Sequence, residues 1–373
     1  MSAVRTVRAE GDLPTRGHHI GRELGDLIER SLGFYRAYVE RRGVRPAELQ
    51  DVLTPYLAAA EASLRREMAM MKSIAEGAMV PVWELFAVNA FEELEPLLEP
   101  PRSRKSFLER DAGPGPRPIA SRRFDRCSTF SVHGADFTLL GHNEQWLAGD
   151  AGNVAAVVEI PDDGSPAVAS PGIVCCLPSV GLNENGAAVG IQSLVAFDDG
   201  VGVPRALVSR HTLDAVDRAD AMQRVGFDGR AGGYGYVWAF ATGDACQVET
   251  TATRVSLLEG PGPHTNHYLD PALATIGAQP SAGSVARYNR MLDLIEEVGP
   301  STPEDVMTIL RDHESEPQSI CLHPDPEEGE EAAAVVFSMV CDVEQGRMWV
   351  AGGNPCQEAF DEVDLAGVVQ SRL

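Results

Sequence analysis

Two short apolar stretches joined by four residues constrain the fold of this chain most strongly. Residues 127–132 alternate small and apolar side chains, and residues 137–141 form an apolar run that ends in glycine. Together they predict a β-hairpin that turns at residues 133–136, with a cysteine at the start of its first strand. Residues 99–123 are rich in proline, glycine and arginine and predict no regular element. The cysteine at the start of the first strand, Cys127, therefore follows an irregular segment.

The position of Cys127 suits a nucleophile that becomes a new N-terminus. Cleavage of the Arg126–Cys127 bond would place a thiol and a free α-amine on one residue. An α-amine has an unperturbed pKa of about 7.7–8.0, so it can act as the base for the neighbouring thiol. The alternative is that Cys127 is a small buried hydrophobic residue, as most free cysteines are.

Five short motifs occur along the chain in a fixed order and spacing: Cys-Ser-Thr-Phe at 127–130, Gly-His-Asn-Glu at 141–144, Gly-Leu-Asn-Glu-Asn-Gly at 181–186, His-Thr-Asn-His at 264–267 and Ser-Val-Ala-Arg at 284–287. In these motifs the chain resembles the acyl-coenzyme A:6-aminopenicillanate acyltransferase family of N-terminal nucleophile hydrolases, and more remotely bile salt hydrolase and penicillin V acylase. The resemblance extends from about residue 20 to residue 360. It implies an α+β fold of four αββα layers preceded by an N-terminal helical pro-segment.

The resemblance also implies roles for individual residues. Cys127 would carry the acyl group as a thioester, Asn266 would stabilise the oxyanion, and Arg287 would lie near the nucleophile for charge and orientation. Relatives commonly carry an aspartate that binds the nucleophile's amine where this chain has Gln145, so that role could shift to Glu144. On residue type alone, Asn266 is typical of a turn and Arg287 of a solvated helix surface.

The periodicity of apolar residues changes at Cys127. Before it, residues 18–98 show the three- and four-residue spacing of amphipathic helices. After it, apolar runs predict strands grouped with pairs of helices, which is typical of a layered α+β domain. We therefore expect residues 1–126 to be a helical pro-segment, or small subunit after cleavage, and residues 127–373 to be the αββα domain, or large subunit. The two fragments would stay associated through apolar helix faces.

The apolar patterns after Cys127 predict individual elements. The predicted strands are 154–160, 187–194, 234–241, 246–250, 253–258, 334–341 and 347–351, and the predicted helices after Cys127 are 204–216, 218–225, 285–298 and 303–313.

Composition narrows the class of partner. The chain of 373 residues is 44% hydrophobic and 23% charged, as in soluble globular proteins, and its net charge of −24 argues against nucleic acid and anionic membranes. The first residues lack the apolar core of a signal peptide, and no run of about 18 apolar residues occurs, so we expect a cytoplasmic protein. The expected partners are a small-molecule acyl donor and an amine, and a homo-oligomer is compatible with the sequence.

The cysteines and histidines predict neither a disulfide framework nor a metal site. The seven cysteines are scattered through a long chain. His264, His267, His313 and His323 could supply ligands, and the three-residue step from His264 to His267 suits two of them. However, that pair has no cysteine pair nearby and no His-Glu-x-x-His run. We therefore expect no metal and no cofactor.

These observations predict an autoprocessed cysteine-nucleophile acyltransferase or amidohydrolase that acts on a small acylated amine. The acyl group would pass from Cys127 to an amine or to water. The alternative is a catalytically inactive relative that serves as a binding or scaffold protein. That alternative rests on Gln145 and on Arg126, because relatives often have glycine before the nucleophile.

Overall fold

Two β-sheets form the centre of the molecule. The computed structural model describes residues 4–98 and 127–370. In those residues the first sheet has eight strands in the order β1-β4-β5-β6-β7-β8-β9-β10, and the second has six in the order β11-β2-β3-β12-β13-β14. The strands are β1 (Arg5–Gly11), β2 (Ser128–His133), β3 (Thr138–Leu147), β4 (Val154–Pro161), β5 (Val168–Ile173), β6 (Gly181–Asn183), β7 (Ala187–Leu194), β8 (Gly233–Phe240), β9 (Asp244–Thr250), β10 (Val255–Glu259), β11 (Gly262–His264), β12 (Ala333–Asp342), β13 (Arg347–Ala351) and β14 (Asp361–Asp364).

In the residues that the structure describes, six helices come before β2 in the chain and six come after β3. They are α1 (Leu13–Glu23), α2 (Gly25–Arg41), α3 (Pro46–Ser63), α4 (Arg65–Ala78), α5 (Val82–Asn89), α6 (Phe91–Leu98), α7 (Arg205–Thr212), α8 (Arg218–Val225), α9 (Pro271–Ala274), α10 (Ala282–Val298), α11 (Pro303–Leu310) and α12 (Leu365–Gln370). Several begin at side-chain caps: Asp12 accepts from the backbone of Thr15, and Thr302 forms a capping box with Asp305 just before α11.

The sheets pack face to face between two helical layers. β2 and β3 of the second sheet contact β7 and β8 of the first. On the outer face of the first sheet, Arg16 of α1 and Arg210 of α7 both pair with the buried Glu159 of β4. On the outer face of the second sheet, α10 and α11 contact β2 and β3. The predicted four-layer αββα arrangement is therefore confirmed. Strands such as β4, β7 and β8 are buried along their whole length because both faces are covered.

The N-terminal segment contributes a strand as well as helices. β1 pairs in parallel with β4, with Arg5 opposite Ala155 and Gly11 opposite Pro161. The sequence of β1 alternates charged residues with Val7 and Ala9, and its partner lies about 150 residues away, so its pairing is decided by tertiary contacts. Residues before Cys127 thus complete the edge of a sheet built by residues after it. Whether the chain is cut between the two parts stays a prediction, and Arg126 lies outside the described residues.

The predicted hairpin is confirmed, but its second strand is longer than predicted. The turn of the hairpin is closed by a hydrogen bond from the Gly134 N–H to the Phe137 carbonyl. The sequence pattern ended the apolar run of the second strand at residue 141, whereas the structure continues β3 to Leu147. The cause is long-range pairing, because β12 lies antiparallel to β3 over this whole stretch, with a bulge between Val335 and Phe337.

The other predicted elements are found, three with the predicted bounds (187–194, 218–225 and 347–351) and the rest with shifted ends. The helix predicted at 303–313 ends at Leu310, and the helix predicted at 204–216 spans Arg205–Thr212. Strands β5, β6, β11 and β14 were not predicted, because they are short or interrupted by proline and glycine. In the described ranges 4–98 and 127–370, the helices are all too short or too polar to cross a membrane.

Candidate active site

Cys127 lies at the junction of the two sheets, immediately before β2. Its side chain is buried, at 3% exposure, and its backbone has a φ of 86°, a left-handed conformation that non-glycine residues rarely adopt. Holding a residue there costs on the order of 1–3 kcal/mol, and the surrounding structure must supply it. Backbone strain is therefore located on the residue whose preceding peptide bond was predicted to be cut.

A chain of hydrogen bonds runs from the thiol along the inner face of β3. The Cys127 Sγ donates to Glu144 Oε1 at 3.3 Å, and the other carboxylate oxygen lies 3.0 Å from His142 Nε2. The second ring nitrogen of His142 is 2.7 Å from Thr129 Oγ1, and Thr129 also accepts from Gln192 of β7. Both oxygens of Glu144 are thus held in place, and one of them faces the sulfur.

Gln145 turns its side chain away from the thiol. Successive residues of a strand point to opposite faces, so Gln145 lies on the outer face of β3 with Asn143. Gln145 Nε2 donates to the Ile320 carbonyl at 3.1 Å, and Asn143 Nδ2 donates to the same oxygen at 3.0 Å. At Cys127, Gln145 acts through its backbone N–H, which opposes the rise in the pKa of the thiol. The carboxylate beside the nucleophile is that of Glu144.

Arg287 joins the nucleophile to the predicted oxyanion residue. One guanidinium nitrogen, Nη1, donates to the Cys127 carbonyl at 2.6 Å and to Ser128 Oγ at 2.8 Å, and Nη2 donates to Asn266 Oδ1 at 2.9 Å. The Arg287 side chain is 2% exposed, so it is not the solvated helix residue that residue type alone suggests. These hydrogen bonds from one planar guanidinium group fix the position of the Cys127 backbone and the orientation of the Asn266 amide.

Asn266 is oriented by two different elements, the helix α10 and the strand β7. Its Oδ1 accepts from Arg287, its Nδ2 donates to the Ser193 carbonyl of β7 at 3.2 Å, and its backbone N–H donates to Ser284 Oγ at 2.8 Å. The structure thus brings four of the predicted site residues into one group: Cys127, Glu144, Asn266 and Arg287. For Gln145, only the backbone belongs to that group.

The N-terminal segment supplies acidic groups to the same region. Glu92 and Glu93 of α6 are buried, and both carboxylates pair with the buried Arg205, at 3.4 and 2.8 Å. Glu92 also accepts from Ser193 Oγ at 2.8 Å, and the carbonyl of that serine holds Asn266. Sequence reasoning missed this contact, because consecutive glutamates in a helix are typical of a solvated face. The apolar residues that flank Glu92 and Glu93 were the available signal.

The surroundings of Cys127 keep its thiol protonated. Burial raises the pKa of Cys127 well above its usual value, and the negative charges of Glu144 and Glu92 raise it further. The hydrogen bond from the Gln145 backbone N–H opposes these effects by stabilising the thiolate. In the uncleaved chain, attack by the sulfur therefore requires a group that accepts its proton.

An apolar cavity of about 530 Å³ lies among α2, α3, α5 and α6. Phe91 lines it and contacts the indole of Trp146, with ring centroids 5.6 Å apart. Trp146 is two residues beyond Glu144 on the same face of β3, which is about 7 Å along the strand. Phe91 and Trp146 therefore connect the wall of the cavity to the strand that carries Glu144.

Two groups of side chains in the described parts of the chain bring potential metal ligands within 4.8 Å of one another: Cys127, His142 and Glu144, and a second set beyond the outer face of β3, His313, Cys321, His323 and Cys356. The first set is the hydrogen-bonded chain already described, in which both ring nitrogens of His142 have partners. His264 and His267, the pair whose spacing suggested ligands, belong to neither set. His264 instead bonds Glu249 and the Thr265 carbonyl.

Comparison with known proteins gives a match to a family model and a set of similar solved structures. The family model described as acyl-coenzyme A:6-aminopenicillanic acid acyl-transferase matches residues 133–357. Solved structures similar to this one include penicillin V acylase from Agrobacterium tumefaciens, at 15% identity and a TM-score of 0.45, covering 64% of this chain and 86% of that one. A variant of conjugated bile acid hydrolase from Clostridium perfringens matches at 12% identity and a TM-score of 0.44, covering 65% and 93%. No curated protein sequence matches the chain.

Proposed function

The chain belongs to the acyl-coenzyme A:6-aminopenicillanic acid acyl-transferase family, whose reactions transfer or hydrolyse acyl groups at C–N bonds, and we propose that it does so through a thioester on Cys127. In this proposal the chain first cleaves itself before Cys127. The products are a small subunit of residues 1–126 and a large subunit of residues 127–373. The substrate is a small acylated amine or an acyl thioester.

Self-cleavage would begin with transfer of the thiol proton to Glu144, which lies 3.3 Å from the sulfur. The thiolate attacks the carbonyl carbon of residue 126, a C–S bond forms, and the C–N bond breaks as the amine of Cys127 takes up a proton. Water then hydrolyses the resulting thioester and returns the proton to the sulfur. The left-handed backbone of Cys127 supports this step, because breaking the peptide bond releases the strain held there.

Acyl transfer would use the same sulfur with a new base. The freed α-amine accepts the thiol proton, and the thiolate attacks the substrate carbonyl. The oxyanion is stabilised by Asn266 Nδ2, whose amide is oriented by Arg287 and by the Ser193 carbonyl. The amine product leaves with a proton, and an amine or water then attacks the thioester and restores the free thiol.

The observation that carries the proposal is the placement of Glu144 and of the Arg287–Asn266 pair on two sides of Cys127. The alternative of an inactive scaffold rested partly on Gln145. Since that side chain lies on the outer face of β3, the substitution removes no carboxylate from the nucleophile's side. The same side chain has a structural partner in Ile320.

We place the acyl group of the substrate in the apolar cavity beside α6. Its lining is dominated by aliphatic and aromatic side chains, which suit a hydrophobic acyl chain or aromatic acyl group. Ala87 lines the cavity, so an Ala87→Phe variant should shift the preference toward shorter acyl groups in a series of acylated amines. An unchanged chain-length profile in a correctly processed variant would place the acyl group elsewhere.

The decisive experiment is intact-mass spectrometry of the purified protein exposed to a panel of acylated amines and acyl thioesters. The expected result is two fragments cut before Cys127, with the acyl mass added only to the larger one. Cys127→Ala should give one full-length mass and no acyl adduct. Cys176→Ala, which removes a half-buried thiol, should behave as the wild type.

Two results would reject the proposal. One is a full-length wild-type chain that gains no acyl group from any member of the panel. The other is an acyl adduct that persists in Cys127→Ala. A processed chain without an adduct would instead reject the substrate class and keep the self-cleavage step.

A further inference from the structure

Four side chains that are far apart in the sequence meet beyond the outer face of β3. His313 follows α11, Cys321 and His323 lie in the segment that leads into β12, and Cys356 lies in the turn after β13. Each offers one ligand atom, and all four atoms lie within 4.8 Å of one another. We propose that these residues form a structural zinc site of the Cys2His2 type, which neither the sequence interpretation nor the family match assigns.

The distances between the ligand atoms agree with tetrahedral zinc. With Zn–S and Zn–N bonds of about 2.3 and 2.05 Å, a tetrahedron separates two sulfurs by about 3.8 Å, two nitrogens by about 3.3 Å and mixed pairs by about 3.6 Å. The sulfurs of Cys321 and Cys356 are 3.6 Å apart, and the Nε2 atoms of His313 and His323 are 3.0 Å apart. The His323 nitrogen lies 3.3 Å from one sulfur and 3.9 Å from the other.

The chemistry of the ligand set also favours zinc. Two thiolates and two neutral imidazoles give a site with no net charge when a divalent ion is bound, which suits the buried position of Cys321. Soft thiolate ligands select zinc over calcium and magnesium, which prefer oxygen. Four protein ligands complete a tetrahedron and leave no position for a substrate, so the site is structural.

Surrounding hydrogen bonds hold the ligands in place without the metal. Asn354 Nδ2 lies 3.6 Å from the Cys321 sulfur and donates to the Leu322 carbonyl at 2.8 Å. The Arg311 side chain donates to the Pro355 carbonyl at 2.9 Å, which ties the end of α11 to the turn that carries Cys356. Such outer contacts orient metal ligands and are expected of a built site.

The proposed ion would stabilise the strand that carries the active-site carboxylate. The Ile320 carbonyl, next to Cys321, accepts from both Asn143 and Gln145 on the outer face of β3. Glu144, between those two residues, points to Cys127 on the inner face. A zinc ion would therefore fasten two connecting segments, the one between α11 and β12 and the one after β13, to the outer face of β3. Its loss should lower the melting temperature and leave the hydrogen bonds of the Cys127 thiol unchanged.

Metal analysis of the full-length protein, purified with a thiol reductant and without chelator, tests the proposal independently of activity. The wild type should hold about one zinc ion per chain, as a closed four-ligand site does. Cys356→Ser and His323→Ala should lose most of that zinc while keeping the wild-type circular dichroism spectrum. Cys176→Ala and His133→Ala, which alter residues outside the cluster, should keep it.

A second readout uses cobalt as a spectroscopic substitute. Protein stripped of zinc and loaded with Co²⁺ should show the intense visible absorption of tetrahedral cobalt and a sulfur-to-cobalt charge-transfer band, and Cys356→Ser should weaken both. The proposal is overturned if reduced wild-type protein binds neither ion after incubation with an equimolar amount. It is also overturned if Cys356→Ser keeps its zinc, or if Cys321 and Cys356 form a disulfide in metal-free protein despite the reductant.

Discussion

The exchange of Glu144 for glutamine tests the proposed self-cleavage most directly. The substitution keeps the shape of the side chain and its two neighbours, the Cys127 thiol and His142 Nε2, but removes the charge that would accept the thiol proton. A well-placed general base contributes about 100- to 10,000-fold to a rate. At 1.36 kcal/mol for each factor of ten, Glu144→Gln should raise the barrier by about 3–5 kcal/mol.

Because slow cleavage can still finish during cell growth, the rate has to be followed directly. Pulse-labelled protein from cell-free synthesis would be sampled over time by denaturing electrophoresis, with Cys127→Ala as the uncleaved reference. Gln145→Met is the matched control, since its side chain lies on the other face of β3 and Ile320 keeps its second hydrogen bond from Asn143. We expect Gln145→Met to cleave within a few fold of the wild type.

Wild-type cleavage in Glu144→Gln together with slow cleavage in Gln145→Met would refute the reasoning. It would mean that the role predicted for a carboxylate belongs to the side chain of Gln145, against the geometry of β3. Equal melting temperatures of the wild type, Glu144→Gln and Gln145→Met would show that the three cleavage rates were measured on equally stable folded chains. Loss of cleavage in both variants at equal stability would also contradict the assignment of the inner face to Glu144 alone.

Three other changes should have distinct outcomes. Arg287→Lys keeps the charge but loses the fork that orients the oxyanion asparagine, so kcat should fall about 100-fold or more with little change in KM, and an unchanged kcat would contradict this role. Burial raises the pKa of Asp150 above the usual value of an aspartate. The contribution of Asp150 to the free energy of unfolding is therefore present at low pH, where its carboxyl group is protonated, and is lost as the pH rises through the raised pKa. Asp150→Asn should therefore gain melting temperature relative to the wild type between pH 5 and pH 8, whereas the exposed Asp51→Asn should not. Gly190→Ala would place a methyl group between the sheets, 2.6 Å from a Thr129 carbon, and should cost about 1–3 kcal/mol of unfolding free energy, while Gly172→Ala, with open space around it, should be nearly neutral in chemical denaturation.

The site residues differ in how far the sequence could identify them. Cys127 and Asn266 belong to local motifs, and the hairpin pattern placed the cysteine at a strand start, as the structure confirms. The choice between Glu144 and Gln145 stayed open because it depends on which way β3 faces. The sequence interpretation ended that strand at Gly141, and only the pairing with β12 extends it and fixes the alternation.

The proposed zinc ligands, by contrast, could not be identified from the sequence. The spacing from His264 to His267 suggested a metal locally, yet His264 is held by Glu249 and the Thr265 carbonyl. The four clustered ligands are spread over 44 residues and two connecting segments, so no short sequence pattern identifies them.

The sequence by itself determined the features that depend on neighbours along the chain. These are the helical periodicity before Cys127, the hairpin whose first strand follows directly after Cys127, and the family to which the motifs belong. The tertiary structure alone decided the parallel pairing of β1 with β4, the burial of Glu92 and Glu93 against Arg205, and the face on which Glu144 lies. The physical reason is that strand register and the pairing of buried charges are set by partners distant in sequence, whose contribution appears only when the two sheets pack together.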